Sequence, residues 1–116
     1  MKILHVIESG GFYGAERVLI ELMLGLKVLG HEAALLSFGY KGQAEKKFEI
    51  ICRQYGIAVN LMRVNTLESF CISHYIKVFA EKNRFDVVHS HGYKFNILFG
   101  LMLKRNRFKC FCSTVH

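Results

Sequence analysis

Apolar and polar positions fall into blocks along this chain, and the period changes from block to block. Residues 2–7 form a short, nearly continuous apolar run of β type that ends in Glu8-Ser9-Gly10-Gly11-Phe12-Tyr13-Gly14. Residues 15–29 switch to helical spacing, with Val18, Leu22, Leu26 and Leu29 on one stripe and Leu19 and Met23 beside it. Gly30 stands where a helix C-cap glycine belongs. Residues 33–38 read as a second buried strand and 39–42 as its turn. The pattern then repeats: an amphipathic helix over 43–55 closed by Gly56, and a third strand over 57–62. Asn65 and Glu68 have the spacing of a capping box, which opens a helix expected to run to about Lys82. A fourth strand over 86–90, a helix over 93–104 and a fifth strand over 110–115 complete the order.

Strands that alternate with helices of this length must run parallel, because a parallel pair needs a crossover that a helix supplies. The expected fold is therefore α/β: a doubly wound, Rossmann-like parallel sheet of about five strands in one domain over residues 1–116. A 3-2-1-4-5 strand order would leave the fifth strand at a sheet edge, and self-association is expected, by edge pairing or by burying an exposed sheet face. Sheets of this kind bind ligands at the carboxyl ends of their strands. The loops that matter are then those at 8–14, 39–42, 63–66 and 90–93, and whatever follows Val115.

Composition adds limits. Of 116 residues, 52% are hydrophobic and 22% charged, which excludes a disordered chain. No apolar run is long enough to span a bilayer, and the first residues lack a secretory pattern, so a cytoplasmic protein is expected. Cys52, Cys71, Cys110 and Cys112 are expected to be free thiols. The formal net charge of +7 favours an anionic partner. Lys104, Arg105, Arg107 and Lys109 form the densest basic cluster, read as a solvated helix end or as a contact with the inner face of a membrane.

Three stretches could carry chemistry. In the first loop, Gly10, Gly11 and Gly14 would let a phosphate approach backbone N–H groups at a helix N-terminus. The dinucleotide fingerprint is absent, since Ser9 stands where its first glycine is needed. In the second, His89 and His91 are two apart and share a strand face. His89 reads as a satisfied histidine near the core and His91 as the better placed for ligand. A zinc site completed by Cys112 and His116 is conceivable, but no tight ligand spacing supports it, so no metal is expected. Lys94 opens the next helix, where a cation opposes the dipole and suggests a bound anion. In the third stretch, Thr114-Val115-His116 brings a histidine to the ligand-binding rim.

Together these stretches resemble the large retaining family, the fourth in the usual numbering, of two-domain glycosyltransferases of the B-type fold. Residues 14–19 match its G-A-E-R-V-L, residues 86–91 with Lys94 match its D-V-V-H-x-H and following lysine, and residues 114–116 match its T-V-H. The resemblance implies the N-terminal, acceptor-side domain, in part, of an enzyme that moves a hexose-type sugar from a nucleotide-diphosphate sugar. The acceptor would be a glycan or a lipid-linked molecule, in cell-envelope polysaccharide or glycolipid synthesis. It places Gly10, Gly11 and Gly14 against the donor's diphosphate, His116 at the sugar-transfer site, and Tyr13, His91 and Lys94 among acceptor contacts. It implies no cofactor or metal, and no nucleic-acid partner. The nucleotide-holding C-terminal domain lies outside the matched motifs, so the chain alone is expected to be inactive. The alternative is a non-catalytic α/β module that binds a phosphate-bearing ligand or an anionic surface.

Overall fold

In the computed structural model, the described residues are 1–91 and the strand Phe111–Thr114. Five parallel strands, β1 (Lys2–Ile7), β2 (Glu32–Tyr40), β3 (Ala58–Val64), β4 (Val87–His91) and β5 (Phe111–Thr114), line up in the order β3-β2-β1-β4-β5. Helices α1 (Gly14–Val28), α2 (Lys47–Gln54) and α3 (Ile72–Lys82) make the crossovers. The expected sheet, its order and its parallel sense are thus observed. The expected helix over 93–104 and the basic cluster at 104–109 lie outside the described residues. Among those described, no helix is long and apolar enough to cross a membrane.

Both faces of the sheet are covered, which explains the unbroken apolar character of the strands. Leu4, Val6, Leu36, Phe38 and Val88 face α3 and its Ile72, Ile76 and Ala80. Ile7 and Leu35 face Leu19, Ile20 and Met23 of α1 and Phe48 and Cys52 of α2. The stripe expected on α1 is corrected here. Val18 and Leu29 are exposed at 57% and 74%, while Glu16, Leu19, Ile20 and Met23 are buried. The helix is apolar nearly all round, so periodicity alone does not fix its rotation. The tether of Glu16, described below, does.

The ends of α1 and α3 follow local rules. At the α1 C-terminus, Gly30 N–H reaches Lys27 O and His31 N–H reaches Leu26 O, with Gly30 at φ +89°. That double bond is a Schellman stop, and it needs the left-handed residue that glycine supplies most cheaply. Asn65 and Glu68 exchange the two capping-box bonds, at 2.7 and 3.0 Å. They open a 3₁₀ turn (Glu68–Cys71) before α3 begins, rather than one continuous helix.

Two boundaries shift from expectation around residue 40. β2 runs on through Gly39 and Tyr40, which pair with Arg63 and Val64 of a correspondingly longer β3. A side chain at residue 39 would put its Cβ 2.5 Å from Gln43 Oε1 and 3.0 Å from Arg63 Nη1, so both side-chain ends would have to move aside. Helix α2 starts at Lys47, not at residue 43. Gln43 and Lys46 instead satisfy the end of β2: Gln43 Oε1 accepts from Tyr40 N–H at 2.8 Å, and Lys46 Nζ donates to Phe38 O at 2.8 Å.

Candidate functional site

The loop after β1 is built around a buried carboxylate. Glu16, 6% exposed, accepts the Tyr13 backbone N–H at 3.1 Å and lies 3.2 Å from Ser9 Oγ. Ser9 Oγ also sits 2.7 Å from Gly11 O and accepts the Gly11 N–H at 3.3 Å. Phe12 anchors the loop from below, its ring 6.5 Å from that of Phe48. Sequence reasoning gave Glu16 no role, although the Ser9-to-Glu16 spacing around a glycine loop is the signal that could have found it. Replacing Glu16 by alanine is expected to cost about 1–2 kcal/mol, since it orphans an N–H at the start of α1. Urea denaturation checks this, and an unchanged midpoint would mean that the loop holds its shape without the carboxylate.

This loop forms one wall of an open cleft of about 560 Å³. Glu8, Ser9, Gly10 and Gly11 line one side, and Gln43, Lys46 and Lys47 at the start of α2 line the other. Gly10 and Gly14 are not left-handed, and beyond chain neighbours and helix backbone no described residue comes within 4 Å of a Cβ built on either; Gly10 lines the cleft and Gly14 does not. Burial pulls the Lys46 ammonium below its ordinary range, against the opposing attraction of Glu8. Behind it stands Glu49, fully buried, whose carboxylate takes Arg63 Nη2 at 2.7 and 2.9 Å and the Lys46 N–H at 2.7 Å. Burial would raise the Glu49 carboxyl, but the Ser37 hydroxyl, the Lys46 backbone and Arg63 together hold it below the usual range.

The predicted site residues are not all gathered at this cleft. Gly10 and Gly11 line it, while Tyr13 points outward at 70% exposure. Lys94 and His116 lie outside the described residues. His91 is buried at 5%, whereas His89 is only partly buried, the reverse of the expected assignment. The reason is a third histidine: His5 of β1, fully buried, sits opposite His89 in the ladder, and its Nδ1 lies 3.3 Å from His91 Nε2. Sequence reasoning passed over His5 because 84 residues separate it from its neighbour across the sheet. Burial, with His89 adding to it, pushes the His5 pKa down to about 4. Cys52 is free and buried, its thiol pushed up to about 12 chiefly by burial, while Cys71 is free and exposed.

A crystal structure of a glycosyltransferase from Rickettsia africae ESF-5 is similar to this chain, with a TM-score of 0.71 and 23% identity. The likeness covers 97% of this chain and 28% of that one, and at this identity it speaks for the fold. No curated protein matches the chain. The profile described as Glycosyltransferase Family 4 matches residues 12–116, from the loop after β1 to the last residue, and the chain belongs to that family.

Proposed function

We propose that this chain is the acceptor-side portion of a nucleotide-sugar-dependent glycosyltransferase, with the cleft between the glycine loop and Lys46 and Lys47 taking the donor's diphosphate. The observation that carries this reading is the open space at Gly10, which lines the cleft and where, beyond its chain neighbours, no described residue comes within 4 Å of a would-be Cβ. A glycine that neither the backbone nor the packing requires is explained by close approach of a ligand. Lys46, Lys47 and the N-terminal end of α2 line the same space and favour an anion, against the carboxylate of Glu8.

Here the protein's part is to bind and orient. Loop N–H groups and ammonium groups hold charge that would grow on the diphosphate as the sugar leaves. His116 would position the sugar, and Tyr13, His91 and Lys94 would face the acceptor. A hexose-type donor, a glycan or lipid-linked acceptor and work at the cytoplasmic face of a membrane complete the proposal.

Titration of the isotope-labelled chain with UDP-, GDP- and ADP-hexoses tests it. Amide shifts are expected at residues 8–14 and 43–47, with no sugar turnover by the chain alone. Shifts elsewhere only, or an equal response to inorganic phosphate, would favour the simpler anion-binding module. Gly10→Ala is expected to leave the unfolding midpoint within about 0.5 kcal/mol of the parent. It should weaken nucleotide-sugar binding by about tenfold, the equivalent of ~1.4 kcal/mol. Unweakened binding by this variant would remove the glycine loop from the donor site.

A further inference from the structure

We propose that His5, His89 and His91 form a binding site for a divalent first-row transition metal, of which Zn²⁺ is the representative. One ring nitrogen from each of the three lies within 4.8 Å of those of the other two. The ring centroids stand 4.2 Å apart for His89 and His91, 5.2 Å for His5 and His89, and 5.5 Å for His5 and His91. Tetrahedral Zn²⁺ with bonds of about 2.0–2.1 Å sets its nitrogen ligands about 3.3–3.4 Å from one another. The 3.3 Å between His5 Nδ1 and His91 Nε2 has that value. It is long for a hydrogen bond between nitrogens.

Burial points the same way. His5 is fully buried and His91 nearly so, so a ligand held by the Nδ1 of the one and the Nε2 of the other is shielded from bulk water. Imidazole is the ligand type shared by zinc, copper, nickel and iron sites, and three of them with an open position make a competent set.

The site lies at the middle of the sheet, between β1 and β4, and apart from the residues that line the diphosphate cleft. A metal there would engage His91, which the proposed function sets among the acceptor contacts, so metal binding and acceptor contact through that ring are alternatives. The metal would clip together two strands whose ligands are 86 residues apart in the chain, closing a long loop.

Chelator-treated, untagged full chain titrated with Co²⁺, then with Zn²⁺ in competition, tests the site. Expected are one ion per chain, the absorption of tetrahedral Co²⁺ and a higher unfolding temperature with metal. His89→Gln is the main variant, because that side chain is only partly buried and its loss threatens folding least. Affinity should fall by at least about 100-fold. His91→Gln should do the same, while His31→Gln and His74→Gln should leave affinity unchanged. A folded parent that takes up no Co²⁺ or Zn²⁺ would overturn the proposal. So would metal binding that survives both His89→Gln and His91→Gln, or that His31→Gln or His74→Gln abolishes.

Discussion

Replacing Arg63 by methionine is expected to cost about 3–5 kcal/mol of stability. Glu49 is fully buried, and both of its oxygens take Arg63 Nη2, at 2.7 and 2.9 Å. Without the guanidinium the carboxylate keeps one backbone N–H from Lys46 but loses its counter-charge inside the fold. The pair also ties α2 to the edge strand β3, so the loss is felt as separation of the two. Since the Glu49 carboxyl is held below its ordinary value in the parent, its stabilisation is present above pH ~4.5 and lost as pH falls through the folded value. In Arg63→Met the sign reverses: burial raises the carboxyl, and the variant's deficit should shrink in acid. Urea denaturation at pH 7 and pH 5 measures both effects. The double variant Arg63→Met/Glu49→Met should recover much of the loss. A single-variant cost below about 1 kcal/mol would mean that water replaces the guanidinium, as at an exposed pair.

The second large effect is expected from acid acting on His5, in metal-free protein. Its folded pKa of about 4 lies below the unfolded 6.5, so the unfolded chain binds the extra proton across that interval. Stability from this group is therefore complete above pH ~6.5, falls as pH drops toward 4, and levels off below. The full loss is about 3 kcal/mol, taking ~1.4 kcal/mol per pKa unit. His5→Leu removes the titrating group and should flatten stability between pH 6.5 and 4. An unchanged acid slope in that variant would assign the transition to other groups.

How far the chain could be read in advance depended on how local each signal was. The β-α alternation, Gly30, and the Asn65 and Glu68 pair act within a turn or two, and the structure holds them where the sequence points. The rotation of α1 was not legible, because Val18, Leu22 and Leu29 make as good a stripe as Leu19, Ile20 and Met23. A buried acid reaching back to its own loop decided between them. The start of α2 was misplaced for a similar reason: Gln43 and Lys46 have good helical character but are engaged by the end of a strand. At the site, the glycine loop was readable as a close-approach segment, while Lys46 and Lys47 were not. Their relevance arises only when β2 lies beside β1. The histidine cluster is the extreme case, since His5 looks like one more strand residue until β4 is paired against it.

The strand order also bears on how the chain is made. β1 leaves the ribosome first and pairs early with β2, whose Glu32 sits opposite Lys2. Its other edge must wait for β4, because Ile3 pairs with Val87. Until then the middle of the finished sheet is a nascent sheet's margin, with Leu4, Val6 and the His5 ring facing solvent or a chaperone. Such distant pairing slows folding and lengthens exposure to aggregation. The strand at the centre of the finished sheet thus stays half-paired until β4 has followed it out.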